Sequence, residues 1–200
     1  MIDNFDLIKT LLTFETADDF YYCQIIRRKK ENPDVGKESY TIKSYSINSI
    51  KELDSLQNEM ITIAKAFNAR VYIALNKRSY EDIAYQNLKK ISEYMSRKDF
   101  KSVKKAYNSC CGGNHNESTK SKRWIIDVDE NNTNIDKEIQ DYINEISFEQ
   151  KNKFGNHILA SIPTKNGHHL ITKKFDSKKF TEKFPKIDLH KDAFTLLWCL

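Results

Sequence analysis

The order of β-prone and helical segments in the second half of the chain restricts the fold more than any other feature. These segments read strand, helix, strand, strand, helix, strand and strand, at 123–129, about 135–146, 157–162, 168–172, about 177–184, 186–190 and 194–199. The turn at 163–167 contains Asn-Gly, which favours a tight hairpin between antiparallel strands. The sequence therefore predicts an α/β (α+β) fold with a mostly antiparallel sheet.

The first half of the chain supplies a second group of elements. The patterns predict a short helix at 3–15, strands at 20–26, 40–47 and 70–75, and helices at about 50–67, 80–95 and 98–108. In the second half, strand–helix–strand–strand–helix–strand is the order of a split βαββαβ unit. We therefore expect one domain over residues 1–200. It comprises an N-terminal αβ lobe (1–110), a loop (111–121) and a ferredoxin- or RRM-like core (122–200) with helices packed on its sheet.

Composition excludes several classes of protein. The chain of 200 residues is 39% hydrophobic and contains 11 Phe, 10 Tyr and 2 Trp, which is enough apolar material for a core and argues against disorder. No apolar run approaches the roughly 20 residues that a membrane-spanning helix needs. The first residues lack the basic-then-apolar order of a signal peptide. We expect a cytoplasmic protein with no membrane partner.

The net charge of +5 permits a nucleic-acid partner without requiring one. Two basic pairs follow predicted strands of the N-terminal lobe, and they are the candidate nucleic-acid contacts: Arg27, Arg28, Lys77 and Arg78. Lys is much commoner than Arg and Asn is abundant. This composition is compatible with an AT-rich genome, such as that of a phage, plasmid or other mobile element.

Three soft metal ligands lie close together at Cys110, Cys111 and His115. Adjacent cysteines suit one tetrahedral zinc ion poorly, and the nearby sequence offers no fourth Cys or His. The Gly-, Asn- and Ser-rich stretch at 109–121 favours a flexible loop, and zinc binding by it stays open. In a reducing compartment the four cysteines are expected to be thiols.

Asp127 and Asp129 stand at the end of an apolar strand. Residues i and i+2 of a strand point to the same face, so both carboxylates can converge on a pair of divalent ions. Magnesium and manganese both prefer carboxylate oxygen. The alternative is a strand that runs into solvent at Asp127 and continues as a polar turn.

The hairpin at 161–172 places further polar groups beside this strand. His169 starts its second strand, and Thr164 and Lys165 lie in its turn. An imidazole next to a hydroxyl, an ammonium group and open backbone amides suits a triphosphate. The alternative is a hairpin whose His168 and His169 merely pack and hydrogen-bond.

A third acidic residue, Asp188, lies in the short apolar strand at 186–190, which we expect near the centre of the sheet. A buried carboxylate needs a cation, a basic partner or hydrogen bonds. Asp188 would complete the acidic site begun by Asp127 and Asp129.

These three stretches, in this order, resemble the motifs of the archaeo-eukaryotic primase superfamily, especially its small primase-polymerase domains. The family motifs hhhDhD, sxH and hD, with h hydrophobic, correspond to 124–129, 167–169 and 187–188. Gly167 replaces the serine of the second motif, and His190 stands where the family has an arginine. The resemblance covers about residues 120–200.

The resemblance implies template-dependent nucleotidyl transfer by a two-metal mechanism. Asp127, Asp129 and Asp188 would hold Mg²⁺ or Mn²⁺, and His169 would contact the phosphates of the incoming nucleotide. The implied partners are single-stranded DNA, nucleoside triphosphates and a helicase or other replication protein. Two alternatives stay open: a metal-dependent nuclease with the same acidic residues, and a catalytically inactive nucleic-acid-binding accessory protein.

Overall fold

Most of the chain forms two antiparallel sheets with helices packed around them. The computed structural model describes residues 1–33, 36, 38–113, 122–129, 133–147 and 157–200. Its strands are β1 (Ile2–Asp3), β2 (Asp19–Arg27), β3 (Tyr40–Ile47), β4 (Arg70–Ala74), β5 (Arg78–Ser79), β6 (Trp124–Val128), β7 (Ile158–Pro163), β8 (His168–Thr172), β9 (Asp188–His190) and β10 (Phe194–Cys199). Its helices are α1 (Phe5–Lys9), α2 (Ile50–Ala66), α3 (Tyr80–Ser96), α4 (Phe100–Val103), α5 (Ala106–Gly112), α6 (Thr133–Ile146) and α7 (Ser177–Lys183), with a 3-10 turn at Lys29–Glu31.

The first sheet has six strands in the order β1-β10-β4-β2-β3, with β5 paired to β2. The first strand of the chain and the last one are neighbours in it, since Ile2 pairs with Cys199. The second sheet has the order β7-β8-β6-β9. Helix α6 connects β6 to β7, and α7 connects β8 to β9.

The predicted mixed α/β class with antiparallel sheets is confirmed. The narrower assignment of a ferredoxin- or RRM-like core stays a prediction, as does the division into a lobe, a loop and a core. One strand from the predicted core segment, β10, nevertheless belongs to the N-terminal sheet, where it lies between β1 and β4. The two halves of the chain are therefore joined by a shared sheet.

Local signals place several elements at the residues that the sequence predicts. The bounds of β3 and β8 agree with the predictions, and α2 begins directly after Ser49, whose hydroxyl accepts a hydrogen bond from the Glu52 amide. The predicted helix at 3–15 is much shorter, covering only Phe5–Lys9.

The segment that starts at Ser109 is helical as far as Gly112, so the prediction of a loop is wrong for these residues. Cys110 and Cys111 are buried in a core with Phe20 and Tyr22. Burial raises the pKa of the Cys111 thiol to about 11, which keeps it protonated near neutral pH. His115 lies outside the described residues.

Among the described helices, none combines the length and the apolar character needed to cross a membrane.

Strand β6 separates two hydrophobic cores. Ile125 packs in the core of the first sheet, whereas Trp124, Ile126 and Val128 pack in a second core with residues of α6 and α7. This alternation is what period 2 requires of a strand with both faces covered. It fixes the face on which Asp127 lies.

Polar side chains fasten the two sheets together. The buried Asn4 amide donates to the carbonyls of Pro163 in β7 and Leu196 in β10, at 2.9 Å each. At the other end of β6, Asn76 bonds both backbone groups of Arg123, at 2.7 and 3.0 Å. These bonds set the position of β6 and β7 relative to the first sheet.

Two of the candidate nucleic-acid contacts are engaged within the protein. The Arg78 guanidinium is 1% exposed, forms an ion pair with Asp192 at 3.2 Å and donates to the Cys111 carbonyl. The Lys77 ammonium group lies within 3.2 Å of Glu15 and Asp19. A guanidinium buried in this way contacts protein and not a template, which corrects the expectation for Arg78. Lys77 is likewise neutralised by its two partners.

Replacing Arg78 with Leu is expected to destabilise the fold by about 3–5 kcal/mol, because it leaves the Asp192 carboxylate buried without its cation. The measurement is urea denaturation followed by circular dichroism. Lys77→Leu is the matched control, with an expected loss of about 1 kcal/mol or less, since its ion pairs are only partly buried. Equal losses for the two variants would contradict the structural role assigned to Arg78.

Candidate active-site cleft

The register of β6 with its two neighbours brings three of the predicted residues into one row. Asp127 is paired directly with His169 of β8 on one side and with Asp188 of β9 on the other. Directly paired residues of antiparallel strands project from the same face. Asp129 lies two residues beyond Asp127 and therefore shares that face. The three acids and the histidine are on one side of the second sheet.

This face borders a cleft of about 750 Å³ between the two sheets. Asp127, Asp129 and His169 line one wall, together with Thr164 and Lys165 of the β7–β8 turn. Five of the predicted site residues are therefore close neighbours in space. The opposite wall comes from the first sheet and the 3-10 turn with its flanking residues, and its polar members are Arg28, Lys30, Glu31, Ser39, Arg70 and Tyr72.

His169 is held by a residue of the first sheet. Its Nδ1 lies 2.9 Å from the Thr195 hydroxyl, and its Nε2 lies 3.5 Å from a carboxylate oxygen of Asp127. Because a carboxylate can only accept, this geometry favours the tautomer protonated at Nε2, with the Thr195 hydroxyl donating to Nδ1. Burial lowers the pKa of His169, although the Asp127 charge opposes that shift. The neutral imidazole therefore faces the cleft.

The adjacent histidine serves a different purpose. The Nε2 of His168 lies 2.8 Å from a carboxylate oxygen of Asp136 on α6, on the other face of β8. The sequence-based alternative of a packed, hydrogen-bonded histidine therefore applies to His168. His169 is the one that reaches the cleft.

The β7–β8 turn lies against the end of β6 because Gly167 has no side chain. A Cβ at this position would be 2.0 Å from the Val128 carbonyl oxygen and 3.0 Å from the backbone of Asp129. The Thr164 amide closes the turn by donating to the Gly167 carbonyl at 2.8 Å. Gly167 thus permits a close approach of the turn to the acidic residues.

The basic wall carries one internal ion pair, between Arg70 and Glu31, and two further cations, Arg28 and Lys30. Arg70 is bonded to Glu31 through two nitrogens. Burial alone would raise the pKa of Glu31, but the hydrogen bonds and charge of Arg70 outweigh it and lower that pKa. Arg28 donates to the Tyr72 hydroxyl at 3.5 Å. Lys165 is half exposed and lies 3.9 Å from Glu31, so it leans across the cleft mouth.

Arg27 differs from Arg28. Its side chain donates to Asn32 at 3.2 Å, and it is absent from the described lining of the cleft. Of the four candidate nucleic-acid contacts, Arg28 alone lines this cleft.

Asp188 is placed differently from what the sequence predicted. Strand β9 is an edge strand of the second sheet, and Asp188 is exposed, so the expectation of a buried carboxylate near the sheet centre is wrong. It shares the row with Asp127 but does not line the cleft, whereas His190, two residues later, does. Among the described residues, no three His, Cys, Asp or Glu side chains are grouped closely enough to hold a metal ion.

The donor set nevertheless fits a divalent cation that arrives with a phosphate ligand. Mg²⁺ is usually held by one or two carboxylates while substrate phosphates and waters complete its coordination. Asp127 and Asp129 supply two carboxylates on one face of the cleft. A site of this type needs no third protein ligand before the substrate binds.

Some residues of the cleft carried no sequence signal for a role there. Thr195 lies in an apolar strand and gives no indication that its hydroxyl meets His169. Arg70 opens the buried strand β4, and a cation at the head of an apolar strand is the only hint of its position. Comparisons with family models, curated proteins and solved structures gave no match to this chain. Functional inference therefore rests on the geometry.

Gly167→Ala is expected to move the β7–β8 turn away from β6 and to destabilise the protein by about 1–3 kcal/mol, since the new methyl group meets backbone atoms. Gly36→Ala is the matched control, because a Cβ there has no atom of the described residues within 4 Å. Chemical denaturation measures the stability, and amide chemical shifts of Val128 and Asp129 report the displacement. An unperturbed Gly167→Ala variant would contradict the close approach.

The lowered pKa of His169 predicts a pH dependence of stability. Below the ordinary His pKa of 6.5, the unfolded chain binds a proton that the folded His169 resists, so the free energy of unfolding decreases as the pH falls from about 7 to 5. We expect His169→Gln to show a smaller decrease over this range. Denaturation midpoints at several pH values test it, and identical slopes for both proteins would refute it.

Proposed function

We propose that this chain is a template-dependent nucleotidyltransferase of the primase-polymerase type, acting on nucleoside triphosphates along single-stranded DNA. The observation that carries the proposal is the direct pairing of Asp127 with both His169 and Asp188. It aligns, on one face, residues from three sequence stretches that resemble the family motifs. The cleft beside them is large enough for a small-molecule ligand.

The charges of the cleft support a nucleotide with its cation. The acidic wall contains Asp127 and Asp129, and the facing wall presents Arg28 and Lys30, with Lys165 at the mouth. A triphosphate bound there would direct some of its phosphate oxygens toward the basic side chains and others toward a divalent cation held by the carboxylates. The guanidinium of Arg28 can form paired hydrogen bonds with phosphate oxygens.

The residues would divide the work of the reaction as follows. Asp127 and Asp129 would orient the reacting phosphate by holding its cation, and the Nε2–H group of the neutral His169, which faces Asp127 in the structure, would donate to a phosphate oxygen instead. The Thr195 hydroxyl keeps the imidazole in that orientation. Tyr72 and Phe194 offer aromatic surface in the cleft for a base. When bound, Mg²⁺ or Mn²⁺ supplies charge stabilisation at the phosphate and activation of the attacking hydroxyl.

A second candidate is a nucleic-acid-binding replication accessory protein without catalysis. It is favoured by one observation: the described side chains contain no preassembled group of three metal ligands, because Asp188 stays outside the cleft. A metal-dependent nuclease would use the same acidic residues. The proposal of a primase-polymerase also includes three further expectations: single-stranded DNA and nucleoside triphosphates as substrates, a helicase or other replication protein as a partner, and a phage, plasmid or other mobile element as the origin of the chain.

Incubation with single-stranded template, labelled nucleotides and Mg²⁺ or Mn²⁺ tests the function. We expect products longer than the primer or newly made primers. Asp127→Asn and Asp129→Asn should each lower the rate at least about a hundred-fold, because each weakens a metal interaction worth several kcal/mol. Asp141→Asn is the matched control, since Asp141 is an exposed carboxylate on α6 away from the cleft.

The products separate the candidates. Shortened template without extension identifies a nuclease and overturns the proposal. Binding of DNA with neither extension nor cleavage, together with no Mn²⁺-dependent increase in melting temperature, identifies the accessory protein. Extension that survives both Asp→Asn substitutions would show that the acidic wall is not the reaction site.

A further inference from the structure

Two segments of the chain, residues 85–107 and 165–186, each carry a net charge of +5, but the rings of the second, Phe175, Phe180 and Phe184, are buried. Residues 85–107 contain seven Lys or Arg and two Asp or Glu, which is a net charge of +5. The whole chain also carries +5, so the 26 basic and 26 acidic residues elsewhere cancel. We call the exposed side chains of residues 85–107, which belong to α3, α4, α5 and their connections, the α3–α5 surface.

These cations face solvent. Six of the seven are exposed: Lys89, Arg97, Lys98, Lys101, Lys104 and Lys105. None of them forms an ion pair with a side chain in the described part of the chain, whereas Lys9, Lys43 and Lys77 elsewhere on the surface do. The Asp99 carboxylate caps α4 by accepting from the Ser102 amide, which reduces its availability to neighbouring cations. The positive charge of the surface is therefore largely uncompensated.

Large apolar side chains are interleaved with these cations. The most exposed are Tyr85, Leu88, Met95, Phe100 and Tyr107, and the rings of Tyr85 and Phe100 are about two thirds exposed. Three rings thus stand among six exposed cations. Aromatic rings that accept stacked bases, set beside cations that neutralise phosphates, are the two components of single-strand binding sites.

Helix α5 connects the surface to the cleft through a short chain of side-chain contacts. Helix α5 packs on α3, and its Asn108 accepts a hydrogen bond from the Tyr22 hydroxyl at 3.1 Å. Tyr22 contacts the ring of Phe194 edge-on, with 6.1 Å between ring centroids, and Phe194 lines the cleft. Two side-chain contacts therefore separate the candidate site from Asn108, the residue that directly follows the α3–α5 surface.

We propose that the α3–α5 surface binds single-stranded nucleic acid outside the cleft, through phosphate contacts by its lysines and arginine and base stacking on Phe100 and Tyr107. The inference goes beyond the proposed function, because strand binding there requires no catalysis. It also replaces Lys77 and Arg78, which are held in internal ion pairs, as the source of strand contacts in the N-terminal half.

Other partners fit this surface less well. A second copy of the chain packed on α3 would bring Leu88 and Met95 together but would bury neighbouring like charges, such as Lys89, without partners. An anionic membrane would match the charge, but the exposed apolar face of α3 consists of Tyr85, Leu88 and Met95, and the rings of Phe100 and Tyr107 lie outside that helix. Single-stranded nucleic acid offers both a phosphate charge and an aromatic base at each nucleotide.

Fluorescence anisotropy with a labelled oligodeoxythymidine, from about 50 to 200 mM salt, tests the proposal. The double variant Lys101→Gln/Lys104→Gln should bind more weakly at low salt. Its slope of log affinity against log salt should be shallower by about 1.4, which is about 0.7 for each phosphate that the variant no longer neutralises. Phe100→Ala should weaken binding at least about five-fold with the slope unchanged, because stacking is not electrostatic.

Lys178→Gln/Lys179→Gln is the matched control: it removes the same charge from exposed positions on α7, and its slope should match that of the wild type. Equal effects of the two double variants would overturn the proposal, as would unchanged DNA binding in Phe100→Ala. Loss of binding to anionic vesicles only would identify a membrane surface, and loss of self-association in sedimentation only would identify a dimer interface; either result overturns the proposal. The binding assay contains no nucleoside triphosphate, so its result is independent of whether the chain catalyses nucleotidyl transfer.

Discussion

The antiparallel register of β6 is the constraint on which the candidate site depends. A slip of one residue would turn Asp127 and Asp129 toward α6 and α7 and bring Trp124, Ile126 and Val128 out of their core. Burying two carboxylates in an apolar core and removing three large apolar side chains from it would cost several kcal/mol, so the observed register is strongly specified. The face of the acidic residues is therefore decided by hydrophobic packing on the other side of the strand.

The same register explains why the site lies between sheets. Strand β9 runs beside Asp127, and a few residues later the chain has left the second sheet and entered the first as β10. Asp192, within that connection, is held by the buried Arg78 guanidinium. Thr195 then meets His169 from the first sheet. The short connection between β9 and β10 therefore fixes the positions of three features relative to one another. They are the edge strand β9, the buried Asp192–Arg78 ion pair and Thr195, the hydrogen-bond partner of His169.

Sequence patterns predicted the bounds of strands and helices better than they predicted which strands pair and which distant side chains meet. The bounds of β3 and β8 and the Ser49 cap follow from local alternation and capping, which a single segment encodes. The place of β10 in the first sheet, the edge position of Asp188 and the burial of Arg78 depend on which distant strands pair, and no local pattern contains that information. Five polar residues of the cleft wall were predicted because motif spacing and strand period act locally. Thr195 was missed because its hydroxyl matters only through a contact across 26 residues.

The distribution of charge across the cleft indicates what kind of ligand suits it. A free anion would be attracted by Arg28 and Lys30 but repelled by Asp127 and Asp129, and a bare cation would meet the opposite pair of effects. The facing wall also contains an acid, Glu31, but Arg70 neutralises its charge. The other cations of that wall therefore keep their positive charge without a balancing acid. A ligand that carries both signs in fixed order satisfies both walls at once. A polyphosphate with a bound divalent cation has this character, and neither component alone is complementary to the whole cleft.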